Sequence, residues 1–305
     1  MAQTIRTKET IAGYGFLLPN LIGFLAFTSI PVLASLVLGF MRWDLTSPPV
    51  FIGLENFVNL LGFTKENGHW IPNDGRFWYY VYNTMFFMLG IPISMAASLF
   101  LAVVLNNKMK GISVVRTVYF MPTLASGIAI YVLWRWIFNE EFGLLNILLG
   151  HFGIDGPGWL TNRALAKPSL IFMGIWMNMG GYNMILYLAG IQGIPQELYE
   201  ASAIDGASSW QKFQHITWPM LGPTTFFIFI MSVIAGFQGG FDAAFVMTGG
   251  GPAGATTTVS YYIYQNAYEW FHMGYAASIA WVLFISVFIV TLMNWKYGGK
   301  VVHYQ

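Results

Sequence analysis

The chain has 305 residues, of which 56% are hydrophobic, 18% aromatic and 9% charged, against about a quarter charged in an average soluble protein. Its 14 Lys and Arg and 13 Asp and Glu are too few to cover a water-soluble domain of this length, whereas a lipid-facing surface calls for apolar side chains. The net charge of +1 excludes a nucleic-acid binder, the hydrophobicity excludes disorder, and the absence of Cys excludes disulfides and thiolate metal sites.

About 20 apolar residues, rising 1.5 Å each, cross a hydrocarbon layer roughly 30 Å thick. Six stretches qualify in chain order: 14–41, 79–105, 117–134 continuing past Arg135 to Phe138, 168–188, 223–241 and 275–295. The runs are continuous rather than alternating, which predicts helices and not barrel strands. The expected fold is therefore all-α, a polytopic membrane protein with six transmembrane helices. Trp43, Trp78, Tyr80, Trp134, Trp136, Trp270 and Trp295 fall at the predicted ends, where amphipathic rings sit at headgroup level. The first stretch is too long for a signal peptide and lacks a small-residue cleavage site, so it reads as an uncleaved helix. A seventh uncharged stretch, 243–268, contains TGGGPAGATTT; its Gly, Pro and Thr predict a loop outside the bilayer or re-entering its edge.

Charge counting sets the orientation. With the N-terminus in the cytoplasm, the inner segments hold Arg6, Lys8, Lys108, Lys110, Arg116, Lys212, Lys296 and Lys300 against Glu9, Glu197, Glu200 and Asp205, a balance of +4. The outer segments balance to −3. The positive-inside rule then places both termini in the cytoplasm.

The spans lack the groups that drive other membrane machines. No HExxH or GxSxG motif occurs, and the five His (His69, His151, His215, His272, His303) are scattered through predicted loops and the tail, so no metal and no cofactor is expected. No span centre carries an ionisable residue, although ion-coupled carriers keep such residues for use. Arg135 and Asp242 lie near outer ends and read as side chains reaching water. With no phosphate-binding GxxxxGK[ST] loop, energy for uphill transport must come from another subunit.

The most polar inner segment is residues 194–223 within the single membrane domain, residues 1–305. Pro195 suits a helix first turn, Glu197 and Glu200 suit its dipole, and Asp205-Gly206 supplies turn chemistry before a second short helix that Pro219 and Pro223 stop. The order Glu200, Ala201, Ser202, Gly206, nine residues, Ile216 and Pro219 resembles the signature loop of the permease subunits of binding-protein-dependent ABC importers. Ser202 stands where Ala is usual and Trp218 where Leu is usual. FLLPNLIGFLAF near the start, FIGLENF at 51–57, RTVYFMPTL at 116–124 and FDAAFVMTGGGP at 241–252 are similar to the carbohydrate branch, of maltose and glycerol-phosphate type, so the resemblance covers nearly the whole chain.

The resemblance implies a non-catalytic six-helix permease in the bacterial cytoplasmic membrane. It would pair with a second, related permease and two ATP-binding subunits, and an extracytoplasmic solute-binding protein would deliver substrate. Glu200, Ala201, Ser202, Asp205, Gly206, Ile216 and Pro219 would form the coupling element seated on the ATPase. Leu54 to Phe57 and Thr248 to Thr258 would serve as outer docking surfaces.

Sugars are held by aromatic faces, amides and hydroxyls. Trp176, Asn178, Tyr182 and Asn183 in the fourth span, with Gly236, Phe237, Gln238, Gly240 and Phe241 in the fifth, supply that mixture. Asn178 and Tyr182 would share one helix face, as would Gly236 and Gly240. The glycines equally suit small-residue helix packing, and the amides interhelical hydrogen bonding. Asn83 is a weaker candidate near an outer end. An autonomous secondary carrier or channel for a small polar solute is the alternative.

Overall fold

A computed structural model describes residues 2–107 and 110–298. Lys108, Lys300 and His303, used in the charge and histidine arguments, lie outside the described residues. The fold is mainly helical and divides into two compact units, Met1–Gly75 with Ile263–Val282, and Arg76–Tyr262 with Leu283–Gln305.

In the first unit, α1 (Ala2–Phe24) runs through a π-helical turn (Leu25–Ser29) into α2 (Ile30–Gly39). The widened turn lies just before Pro31, whose missing N–H breaks the regular hydrogen-bond ladder. Phe16 and Phe27 are 88% and 84% exposed on this apolar helix, a surface suited to lipid.

Two small antiparallel hairpins interrupt the expected all-helical pattern: β1 (Met41–Arg42) with β2 (Val50–Phe51), and β3 (Phe63–Glu66) with β4 (His69–Pro72). Asn67 and Gly68 both take positive φ in the second hairpin, the turn chemistry that matches strand twist. Between the hairpins lies α3 (Glu55–Leu61), whose buried Asn56 donates to the carbonyls of Gly39 and Met41 at 2.9 Å each.

The carboxylate of Asp44 accepts from the Ser47 hydroxyl and from the amides of Ser47 and Thr46. These bonds hold its pKa at about 2, against an ordinary 3.8. A depressed carboxylate pKa favours the ordered turn above the unfolded value and loses that contribution as pH falls toward the folded one. Asp44 is therefore expected to stay ionised at pH 3. A carboxyl NMR titration with its midpoint near 3.8 would contradict this.

The second unit carries α4 (Gly75–Met88) and α5 (Gly90–Leu105), together a 31-residue apolar span. Then follow α6 (Ile112–Leu124), α7 (Gly127–Ile137), α8 (Leu144–His151), α9 (Ala166–Met179) and α10 (Tyr182–Gln192). Next come α11 (Gln196–Ile204), α12 (Ser209–Lys212), a π turn (Phe213–Thr217), α13 (Trp218–Met220) and α14 (Gly222–Gln238). The chain continues through α15 (Phe241–Ala243), a further π turn (Ala244–Thr248), α16 (Val259–Tyr264) and α17 (Met273–Gly298), the last two helices divided between the two units at Tyr262 and Val282.

Met95, Leu99, Ala102 and Leu105 of α5 pack with Met184, Tyr187 and Ile191 of α10 and with Leu221 and Ile228. Ile130 and Trp134 of α7, with Phe138 just beyond its end, form a second cluster with Leu170, Met173 and Met247. Between membrane helices, van der Waals packing in these clusters, rather than transfer of apolar surface from water, holds the segments together within the unit.

Six uncharged stretches do not become six straight helices. Among the described residues three helices are long and apolar enough to span (Ala12–Gly39, Gly75–Leu105, Met273–Lys296), and up to five if two bent pairs each count as one. The third stretch bends by 97° between α6 and α7, and the pair Ser209–Met220 with Gly222–Gln238 bends by 62°. The fourth stops at Gly180-Gly181 and restarts. A charge-free run measures apolarity alone, while Gly and Pro decide whether the backbone stays straight.

Candidate functional site

A cavity of about 380 Å³ lies in the second unit where the broken helices meet. Its polar lining is Thr84, Ser94, Thr123, Tyr131, Asn178 and Thr258, and its apolar lining includes Met88, Ile91, Leu170 and Met173. None of the described side chains lining it is charged.

Helix breaks create the space. A Cβ on Gly180 would lie 2.4 Å from the Tyr119 carbonyl oxygen, so only glycine allows α6 to cross the α9–α10 junction this closely. Gly236 and Gly240 both line the cavity, but they do not share a helix face: α14 ends at Gln238 and Gly240 has φ +81°. A Cβ at Gly240 would also meet the Thr258 methyl at 2.7 Å. Likewise Asn178 and Tyr182 sit on separate helices, because the chain is not helical at Gly180-Gly181.

Of the sequence-selected residues, Asn178, Gly236 and Gly240 line the cavity; Trp176, Tyr182, Asn183, Phe237, Gln238 and Phe241 do not. Trp176 packs edge-on against Trp134 at 5.3 Å, Tyr182 packs against Phe120 at 5.6 Å, and Phe241 stacks on Phe245 at 5.5 Å. Phe237 is buried, and the Gln238 carbonyl accepts from the Ser260 hydroxyl at 3.0 Å, which closes the end of α14. Asn178 donates to Gly174 O at 2.7 Å, while its own backbone carbonyl accepts from Ser98 Oγ at 3.2 Å.

The 243–268 stretch is more ordered than a surface loop. Ala255, Thr256, Thr257 and Thr258 are 2% exposed or less, so this end of the segment 248–258 is not an exposed docking surface, while Gly249 and Ala253 stay exposed. Asn83 explains the burial. It is fully buried, and its Nδ2 donates to Gly254 O and Thr257 O at 2.9 Å each. The neighbouring Thr84 hydroxyl accepts from Val259 N at 3.1 Å. The irregular backbone is thus satisfied by side chains of α4, as buried backbone requires. Sequence reasoning misses Ser94 and Thr84, although isolated hydroxyls inside apolar runs are an available signal.

The segment 194–223 folds as a helix, a turn and a second helix. Pro195 lies just before α11 with extended ψ rather than inside its first turn. Gly206 has φ +76°; its N–H donates to Ala203 O and that of Ala207 to Ser202 O at 2.9 Å, a Schellman closure. Ser208 and Gln211 then form a reciprocal capping box at the start of α12. Pro219 does not stop this second helix. It lies within the bent run, two residues after a π turn, and Pro223 instead opens α14. Glu200, Ala201, Asp205 and Gly206 are exposed, Ser202 and Ile216 are half-buried and Pro219 is exposed. No residue of α11 is buried, and Ile204 is 89% exposed. Both ends of the turn are capped internally, so the outer face of the hairpin is left available to a partner.

A family model described as the binding-protein-dependent transport system inner membrane component matches residues 76–297. The probable ABC transporter permease protein YesP of Bacillus subtilis is 38% identical over 98% of this chain and 94% of its own length. The lactose transport system permease protein LacF of Rhizobium radiobacter is 35% identical over 96% of this chain and 97% of its own. A chain from the crystal structure of a bacterial ABC transporter involved in import of the acidic polysaccharide alginate superposes with a TM-score of 0.85, covering 99% of this chain and 100% of that one at 23% identity.

Proposed function

Because the chain belongs to the binding-protein-dependent transport system inner membrane component family, we propose that it is the non-catalytic permease of a carbohydrate importer. It forms one membrane domain of six spans, some of them broken, in the bacterial inner membrane, with both termini cytoplasmic. Its partners are a second permease, two ATP-binding subunits that hydrolyse the ATP, and an extracytoplasmic solute-binding protein. The α11 hairpin, with Glu200, Ala201, Ser202, Asp205, Gly206, Ile216 and Pro219, receives the ATPase stroke. The cavity at the helix breaks lies on the substrate path. Family membership favours this reading over an autonomous carrier or channel.

The observation that carries the substrate class is the cavity lining of hydroxyls, one carboxamide and apolar surface without a charged side chain. Such a surface binds hydroxyls and C–H faces but leaves an ionised solute without a counter-charge. An uncharged saccharide fits it, in line with the lactose named for the Rhizobium relative.

Proteoliposomes holding the chain with its co-purifying subunits should take up binding-protein-delivered sugar only with ATP. Uptake that persists without ATP or without the ATPase would overturn the reading. Gly240→Leu should cut uptake at least about ten-fold without loss of subunit association, since it forces a left-handed conformation costing about 1–2 kcal/mol and intrudes on Thr258. Undiminished uptake in this variant would remove the cavity from the path.

A further inference from the structure

A second cavity, of about 610 Å³, is walled by the ends of α5 and α10, the start of α6, α11 and Thr217. Its size falls within the roughly 300–1,000 Å³ of small-molecule sites. It shares no lining residue with the cavity already described. The polar groups in its wall are Asn106, Asn107, Arg116, Gln192, Gln196, Tyr199 and Thr217, and none of the described lining residues is acidic.

Arg116 is held rather than free. Its Nε and Nη2 both donate to the Leu105 carbonyl, at 3.1 and 2.6 Å. That fixes the guanidinium plane and leaves three of its five N–H groups for another acceptor. Arg116 has no carboxylate partner among the described residues. A fixed guanidinium without a carboxylate partner beside an open space suits an oxyanion, and its fork matches phosphate.

The rest of the wall is built for hydroxyls. Tyr199 OH and Thr217 Oγ1 lie 2.8 Å apart and retain lone pairs. The carboxamides of Asn106, Gln192 and Gln196 make no side-chain hydrogen bond among the described residues. Each offers two donors and an acceptor. Val103, Ile112, Ile191 and Ile194 supply apolar surface beneath them.

We infer that this cavity binds a phosphate ester carrying free hydroxyls, with the phosphoryl group on Arg116 and the hydroxyls on the carboxamides. Two sources share that chemistry: a soluble sugar phosphate and the headgroup of phosphatidylglycerol. Because α11 forms one wall, occupancy ties this helix to the ends of α5 and α10. On the coupling role proposed for α11, the bound ester would bias transport; binding itself does not depend on that role.

The test uses the full-length chain with its co-purifying subunits in nanodiscs. Glucose 6-phosphate, glucose, inorganic phosphate and glucuronate are titrated by calorimetry, and retention of phosphatidylglycerol against phosphatidylcholine is read by native mass spectrometry. Saturable binding of glucose 6-phosphate, tighter than the other three, identifies a soluble ester. Selective retention of phosphatidylglycerol without glucose 6-phosphate binding identifies the lipid headgroup. Either interaction should weaken at least about ten-fold in Arg116→Gln, the loss of one charge-assisted contact. Should that variant fail to fold through loss of the Leu105 contact, Gln192→Ala combined with Gln196→Ala, both exposed, should lower the preference for the ester over inorganic phosphate. No selective binding of either source, equal or tighter binding of inorganic phosphate or glucuronate, or binding unchanged by the variants would overturn the proposal.

Discussion

Replacing Asn83 with Leu is expected to destabilise the protein by about 1–3 kcal/mol and to lower uptake, because two backbone carbonyls lose their donor while the buried, unpaired Asn83 Oδ1 is removed in partial compensation. Those carbonyls, Gly254 O and Thr257 O, belong to a segment that has no regular ladder of its own. Asn83 is fully buried, so solvent does not readily take the place of the lost donor. The same segment carries Thr258 into the cavity wall, beside Gly240, so loosening it deforms the proposed substrate path. Asn83→Asp, of nearly the same size, removes the paired N–H donors and should also destabilise. Thermal unfolding of the purified assembly and hydrogen exchange at residues 249–258 measure the effect. An Asn83→Leu variant with unchanged melting temperature and unchanged exchange would show that the Asn83 hydrogen bonds do not hold this segment.

Gly206→Val should leave membrane insertion intact while uptake and ATPase association fall at least about ten-fold, as α11 turns away from the position its closing turn imposes. Space is not the issue, since nothing lies within 4 Å of a Cβ built at Gly206. Conformation is: φ +76° costs an L-residue about 1–2 kcal/mol, more for a β-branched side chain. Gly206→Asn should therefore recover much of the lost activity, because Asn tolerates the left-handed region at a helix end. Glu200→Lys tests the contact separately, by reversing a charge on an exposed helix face without altering the turn. If the Val and Lys variants both bind the ATPase and transport normally, the hairpin is not the coupling element.

These two sites differ in how far they can be read from the chain. The α11 hairpin is local: Asp205-Gly206, Ser208 and Gln211 carry their own turn and cap chemistry within a few residues. Its helix–turn–helix form is legible, although Pro219 does not end the second helix as expected. Asn83 and Gly254 are separated by 171 positions, and no spacing rule connects them. By sequence, Asn83 consequently reads as a weak polar candidate near a span end, and residues 243–268 as a loop outside the bilayer or re-entering its edge. Trp176, Tyr182 and Phe241 have suitable chemistry for a sugar, yet their rings are engaged with Trp134, Phe120 and Phe245 outside the cavity wall.

The 9% charged fraction and its placement by themselves determined that this is a helical membrane protein with no ionisable group at a span centre. The short motif from Glu200 to Pro219 determined the family. Both follow from composition and local spacing, which the solvent and the nearest backbone neighbours enforce directly. Tertiary structure alone decided where the apolar runs break, that Gly240 lies beyond the end of α14, and which uncharged groups face the cavity. Those features depend on segments far apart in the chain meeting at distances only glycine permits, as at Gly180 against Tyr119, and on buried donors such as Asn83 finding carbonyls that only the folded chain brings within reach.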